Sequence, residues 1–159
     1  MKPTVSVSGG DRIVQRVREL RDRLDRKNAV LVGVPKGSGN YEDGTKMAVI
    51  AAVQEYGSAD GRIPERSFLR VPLNAEQKQF AATFRETVPD VVQGSLTSEQ
   101  MLDRVGSQAV GVVQEAISAG INPANAPATV ERKGSSTPLV DTGALRQAIT
   151  YVVEGDEGA

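Results

Sequence analysis

Two prolines constrain the stretch 54–73 more strongly than any other feature constrains the rest of this 159-residue chain. Proline fixes its own φ and biases the residue before it towards extended geometry. Pro64 and Pro72 therefore predict a rigid, largely non-helical arm over residues 62–72. Any fold of this chain has to accommodate the arm as a fixed unit between its neighbouring elements.

The side chains of this arm suit two different roles. Arg66 and Arg70 flank Phe68, and arginine and aromatic side chains are favoured anchors of protein interfaces. We expect both guanidinium groups to point away from the subunit. In the alternative, which composition by itself favours, the arm is an ordinary crossover whose Phe68 and Leu69 fill the local core. The candidate contact residues of this region are Tyr56, Arg62, Arg66, Phe68 and Arg70.

A second candidate contact region is the glycine-rich stretch 35–45. It is long for a loop in a compact domain, and long loops are often functional or become ordered on binding. We expect a flexible loop that orders against a neighbouring subunit or partner. Its candidate contact residues are Lys36, Tyr41, Glu42 and Asp43.

The composition argues against most catalytic mechanisms. The chain has no histidine, which is the commonest general base, and no cysteine, so the usual zinc ligands and a disulfide framework are missing. With 19 basic and 20 acidic side chains the formal charge is −1, which indicates no global attraction to nucleic acid. No run of 18 apolar residues and no signal-peptide pattern is present, so we expect a soluble, cytosolic protein.

Periodicity predicts the order of the elements. The predicted strands cover residues 4–8, 29–34 and 148–154, and the predicted helices cover 11–27, 45–56, 74–86, 98–119 and 143–147. This order predicts a single α+β domain over 1–159, with a small mixed or antiparallel sheet covered by two or three longer helices. Residues 155–159 are expected to form a frayed tail.

The first predicted helix is amphipathic. Apolar residues recur at helical spacing, and the other face is rich in arginine. Such a charged face is most often simply solvated, although a subunit contact or a phosphate-facing surface is also compatible with it. The apolar stripe consists of Ile13, Val17, Leu20 and Leu24.

Local signals predict where several helices begin and end. Thr45 is expected to cap the helix over 45–56, for which a buried strand over 47–53 is the alternative. Pro89 is expected to interrupt the helix that begins at 74. Thr97 or Ser98 is expected to cap the helix over 98–119, and Gly120 to terminate it.

Two motifs resemble catalytic sites. Residues 39–46 lie where a phosphate-binding loop would, but Thr45 and Lys46 are transposed relative to that motif and two acids lie inside it. The Asp141-Thr142-Gly143 turn matches an aspartic-protease motif, which needs a second aspartate and therefore a homodimer. Few residues follow it, and an N-cap at Asp141 or Thr142 is a sufficient role.

Several motifs in order give the chain a family resemblance. The segments A-A-V-Q-E-Y-G (51–57) and R-I-P-E-R-S-F-L-R (62–70) precede a long helix. A-P-A-T-V-E-R-K-G-S-S (126–136) and P-L-V-D-T-G-A-L-R-Q-A-I-T-Y (138–151) follow it. In this order they resemble the minor tail, tail-completion and neck proteins of tailed bacteriophages, which often have Asn where this chain has Gln54.

The resemblance implies a non-enzymatic virion protein without cofactors. It implies a homo-oligomeric ring between a head-side connector and a tail-side terminator or tube protein, with DNA passing through the lumen as non-specific cargo and no membrane contact. The expected location is the virion neck or tail, reached from the host cytoplasm during assembly. Alternatives are a tail-terminator ring or another minor tail protein, a homodimeric aspartic protease, and a regulatory or nucleic-acid-binding domain that uses the arginine-rich helix.

Overall fold

A computed structural model describes residues 14–19, 21, 29–41, 43–124 and 143–154. The named elements in this part are strand β1 (Ala29–Gly33), helices α1 (Met47–Tyr56), α2 (Arg70–Ala75), α3 (Gln77–Gln93), α4 (Ser98–Ala119) and α5 (Ala144–Ala148), and strand β2 (Thr150–Glu154). Residues 14–19 and 21, here called the N-terminal helix, are also helical. The predicted α+β class is confirmed. The predicted strand at 4–8 and the tail at 155–159 lie outside the described residues.

The two strands pair antiparallel, in a register that runs from Ala29 opposite Glu154 to Gly33 opposite Thr150. The antiparallel form of the predicted sheet is therefore the one found. Burial alternates along β2, as expected for a strand with one covered face. Tyr151 and Val153 are half-buried, and α4 contacts both strands.

Helix α4 organises the described part of the molecule. Its buried residues recur every three or four positions, as the sequence predicted. Thr97 and Gln100 form a complete capping box at its start, and Gly120 follows its last residue. Gly106 allows the Tyr151 ring to pack directly on the helix, because a Cβ atom at this position would clash with that ring.

The main core joins α1, the arm, α4 and the C-terminal elements. Phe68 is fully buried in it. Helix α3 packs on α4 instead of on the sheet, so α4 is the helix that covers the strands. The core residues are Met47, Ala51, Phe68, Val113, Ile117, Leu145 and Ile149.

The arm is shorter than the sequence predicted. Residues 57–69 are non-helical, but α2 begins at Arg70 and contains Pro72 as its third residue. Proline is tolerated there because the N–H groups of the first helical turn have no partner inside the helix. The predicted non-helical range 62–72 is therefore wrong for its last three residues.

Other predicted helix ends also need correction. Helix α3 continues through Pro89 to Gln93, and the burial of Val91 shows that packing continues beyond the proline. Lys46, not Thr45, occupies the N-cap of α1, without a side-chain hydrogen bond. The N-cap of α5 is Gly143, with a φ of 73°, whereas Asp141 and Thr142 lie outside the described residues.

The N-terminal helix differs from its prediction in packing. Its helical conformation agrees with the sequence pattern, but every described residue in it is exposed. Val17, which the pattern places on the buried stripe, is 59% exposed. The apolar side of this helix is therefore not covered by the described part of the chain.

Candidate functional site

The arm returns alongside the C-terminal end of α1 because the chain closes a tight turn after that helix. Gly57 ends α1 with a φ of 79°, and a side chain there would crowd the backbone of residues 63 and 65. The Ser58 N–H donates to the Ile63 carbonyl over 2.9 Å, and the Ser58 hydroxyl accepts from the Ile63 N–H over 2.8 Å. The turn therefore fixes the distance between α1 and the arm.

Glu55 is the centre of the contacts between α1 and the arm. Its side chain lies on the buried face of α1, and the residue is only 2% exposed. The carboxylate accepts hydrogen bonds from the Ser67 hydroxyl (2.7 Å), the Leu69 N–H (2.9 Å), the Arg70 N–H (3.2 Å) and the Arg70 Nε (2.8 Å). One helix side chain thus holds the end of the arm and the start of α2.

These hydrogen bonds also determine the ionisation of Glu55. Burial alone would raise its pKa, because it disfavours the charged form. The Leu69 N–H, the Ser67 hydroxyl and the Arg70 groups donate to the carboxylate, and together they lower the pKa below its ordinary value. Glu55 is therefore an anion at neutral pH.

Arg70 links this buried carboxylate to the protein surface. Its Nη2 bonds Glu65 over 2.7 Å, and its Cζ lies 4.7 Å from the centroid of the Tyr56 ring. The hydrogen bond to Glu55 is the first cause that raises the pKa of Arg70, and both carboxylates add to it. Arg70 is thus half-exposed but oriented by the subunit, which corrects the expectation of a guanidinium group that only projects outward.

Arg66 is buried, contrary to its expected place on the contact surface. Its Nε donates to the Pro123 carbonyl over 2.8 Å, and its Nη2 donates to the Ala124 carbonyl over 3.2 Å. Its Nη1 donates to the Gln54 side chain over 3.2 Å. Burial lowers the pKa of Arg66. The expectation failed because carbonyl and amide oxygens inside the subunit satisfy this cation.

Phe68 also has to be removed from the contact surface, since it is 0% exposed. The alternative in which Phe68 plugs the core is the correct one. Leu69 is partly buried against the same core. Arg62, in contrast, is highly exposed and pairs with Asp60 over 3.2 Å. A role for Arg62 in contacts between subunits stays a prediction.

An exposed surface remains beside the Glu55 network, and we call it the Tyr56 surface: Val49, Tyr56, Arg70 and Val71. Val49 and Tyr56 are seven residues apart on α1 and therefore lie on one side of that helix. Tyr56 is 65% exposed, and Val49 and Val71 are also exposed. The surface therefore combines an aromatic ring, a guanidinium group and apolar side chains.

The loop at 35–45 has internal hydrogen bonds. The Tyr41 N–H donates to the Thr45 carbonyl over 2.7 Å, and the Met47 N–H to the Gly39 carbonyl over 3.0 Å. The Thr45 N–H donates to Asp43 over 2.8 Å and is the first cause that lowers the pKa of this carboxyl. The flexibility of the loop stays a prediction.

The four contact candidates of this loop have different surroundings. Lys36 and Asp43 are exposed, and Tyr41 is half-buried against the main core. Glu42 lies outside the described residues. The structure thus gathers the arm residues around Glu55, whereas the loop forms a separate turn before α1.

The catalytic alternatives gain no support from the described residues. In the loop, Lys46 pairs with Asn40 in an isolated β-bridge. Of the Asp-Thr-Gly turn, only Gly143 is described. Within the described ranges, no group of three or more acidic, histidine or cysteine residues is placed to hold a metal ion. No helix there is both long and apolar enough to span a bilayer.

Sequence reasoning missed Glu55, although a signal was present. Met47, Ala51 and Glu55 recur every four residues, so Glu55 continues the buried face of α1. An acid on such a face needs partners, because a buried charge without them is costly. Arg66 and Arg70 follow in the sequence as possible partners for this acid, and Arg70 is the one that pairs with Glu55.

Comparison with known proteins adds no family assignment. No protein-family model, no curated protein and no solved structure matches this chain significantly. The resemblance to phage proteins therefore depends on the motifs themselves.

Proposed function

We propose that this protein is a structural virion subunit that forms a ring in the neck or tail-completion region and joins a phage head to its tail. The observation that carries the proposal is the Tyr56 surface, in which Arg70, bonded to the buried Glu55, lies over the exposed ring of Tyr56. Aromatic residues and arginine are enriched in protein interfaces.

The rigidity of this surface favours a protein contact. Ordering a long side chain on binding costs about 0.5–1.5 kcal/mol. The cost is smaller for Arg70, because Glu55 and Glu65 already hold its guanidinium group over the Tyr56 ring. The buried Arg66 also holds the arm against Gln54 and the chain after α4, which limits its movement.

Two of the four segments that carry the family resemblance build this site. A-A-V-Q-E-Y-G contributes Glu55 and Tyr56, and R-I-P-E-R-S-F-L-R contributes Arg66 and Arg70. The motifs thus coincide with one physical unit, an anchored arm beside an exposed surface. This coincidence supports the same class of protein that the resemblance implies.

The proposed partners follow from that position. The protein contacts itself within the ring, a head-side connector on one side, and a tail terminator or tube protein on the other. DNA passes through the lumen as non-specific cargo. The proposal includes no cofactor, no membrane contact and no catalysis.

Genetic complementation in a phage that carries this gene tests the proposal. Deletion of the gene should yield filled heads and separate tails, and the wild-type gene should restore joined particles. Val49→Asp, which places a charge on the Tyr56 surface, should fail to restore them. Val92→Asp is the matched control, because Val92 is also an exposed helical valine but lies on α3. Joined, infectious particles after deletion, or full rescue by Val49→Asp, would contradict the proposal.

A further inference from the structure

The side of the sheet that faces away from α4 carries an exposed apolar pair. Leu31 and Val152 are directly opposite each other in the register, and they are 50% and 54% exposed. Thr150 and Glu154 lie on the same side of β2 and are also exposed. A shallow, open depression beside this pair has Leu31, Thr150 and Val152 among its lining residues. We call Leu31, Thr150, Val152 and Glu154 the outer sheet face.

The N-terminal helix carries the second uncovered apolar surface. Val14 and Val17 are three residues apart, so they lie on one side of that helix, and both are exposed. The helix and the outer sheet face are thus exposed simultaneously, and they do not cover each other within the described subunit.

We propose that the outer sheet face binds the N-terminal helix of a second copy of this chain. The helix is short enough to lie on the sheet. Residues 14–19 form about 9 Å of helix at 1.5 Å per residue. Each five-residue strand provides about 16 Å. Val14 and Val17 can therefore lie along the Leu31–Val152 pair within the length of the sheet.

The charges of the two surfaces are complementary. Arg18 is one residue from Val17 and four from Val14, so it flanks the valines on the helix, and Glu154 accompanies Val152 on the outer sheet face. The same asymmetry extends along the sequence. Residues 1–36 contain nine Lys or Arg and four Asp or Glu, whereas residues 152–159 contain three acids and no base. Opposite charges around an apolar contact favour this pairing and its orientation.

The contact joins two different surfaces and is therefore heterologous. Repetition of a head-to-tail contact closes into a ring when the rotation between subunits permits it. In this respect the inference rests on the proposed function, because it supplies one contact between neighbouring subunits of the ring. The Tyr56 surface remains available for a further contact.

Cross-linking between two full-length variants tests the inference, because the chain contains no native cysteine. Chains with Val17→Cys and chains with Val152→Cys, distinguishable by mass, are mixed and oxidised. We expect a disulfide-linked pair that contains one chain of each kind. Glu19→Cys is the control for Val17→Cys, because residue 19 lies two positions, about 200°, around the same helix. The pair should be lost when Glu19→Cys replaces Val17→Cys.

Each result decides the inference. Absence of the mixed pair, or an equal yield with Glu19→Cys, would overturn it. A chain carrying both Val17→Cys and Val152→Cys that closes its disulfide within a monomer would overturn it in favour of docking within one subunit.

Particle mass, measured on the same samples, separates this inference from the proposed function. Rings without the mixed pair would overturn the inference alone. The mixed pair in dimers that never form rings would support the inference and contradict the ring.

Discussion

Glu55→Gln is the most informative single change, because it preserves the size of the side chain and removes its charge. The new amide group can be oriented in two ways, and the better one places its oxygen where Oε1 of Glu55 is now. The amide oxygen then still accepts hydrogen bonds from Ser67 and Arg70. The amide nitrogen then faces the Leu69 N–H, which now donates to Oε2 over 2.9 Å. Two donors would meet in a buried site, so the Leu69 N–H would lose its acceptor.

The expected loss of stability follows from these contacts. A buried N–H without an acceptor costs about 1–3 kcal/mol. Loss of the charge on Glu55 also weakens its pair with Arg70, which is half-exposed, so this contribution is at most about 1 kcal/mol. The sum is about 1–4 kcal/mol, or roughly 3–12 °C in melting temperature at about 3 °C per kcal/mol for a domain of this size.

Denaturation followed by circular dichroism measures this loss, and Glu65→Gln is the control. Glu65 bonds the same guanidinium group from an exposed position, so its replacement should cost at most about 1 kcal/mol. A Glu55→Gln variant within about 0.5 kcal/mol of the wild type would refute the assignment of Glu55 as the anchor of the arm.

The pH dependence gives a second readout of the same site. The folded pKa of Glu55 lies below its ordinary value near 4.5. Its ionisation therefore contributes stability above that value, and this contribution is lost as the pH falls through the folded pKa. The difference in stability between the wild type and Glu55→Gln should accordingly shrink in acid.

Three further changes test the packing around this site. Phe68→Ala should cost about 3–5 kcal/mol in denaturation, because it empties a fully buried position; a loss below about 1 kcal/mol would contradict the core assignment. Gly106→Ala should destabilise the protein by about 1–3 kcal/mol, because the added methyl group clashes with the Tyr151 ring. Gly111→Ala should stabilise it by about 0.5–1 kcal/mol, because Gly111 is on the same helix but has open space around it. Equal effects of the two changes would refute the contact between Gly106 and Tyr151. Arg66→Lys should lower stability by about 1–3 kcal/mol and increase hydrogen exchange at residues 121–122, because an ammonium group cannot reproduce the three hydrogen bonds of the guanidinium group. Unchanged exchange would contradict the role of Arg66 in holding the chain after α4.

Local sequence signals predicted the regular elements well, because these depend on neighbouring residues. The apolar spacing and the capping residues of α4 gave its range as the structure has it. Alternation predicted β2.

The predictions that failed concern interactions between segments. Pro89 looked like a helix end, but the burial of Val91 outweighs its local preference. Arg66 looked like an exposed cation, because its carbonyl partners at 123 and 124 lie far away in sequence. Sequence patterns indicate which side chains need partners. They do not indicate which distant segment provides them.

The native mass of the purified protein tests self-assembly through the Tyr56 surface most directly. We expect the wild type and Val92→Asp to form the same closed ring at micromolar concentration, and Val49→Asp to stay folded without forming that ring. The mass measured by native mass spectrometry, together with the circular dichroism spectrum, distinguishes failed assembly from failed folding. A wild-type protein that stays monomeric at all concentrations, or a Val49→Asp variant that forms the wild-type ring, would contradict this account.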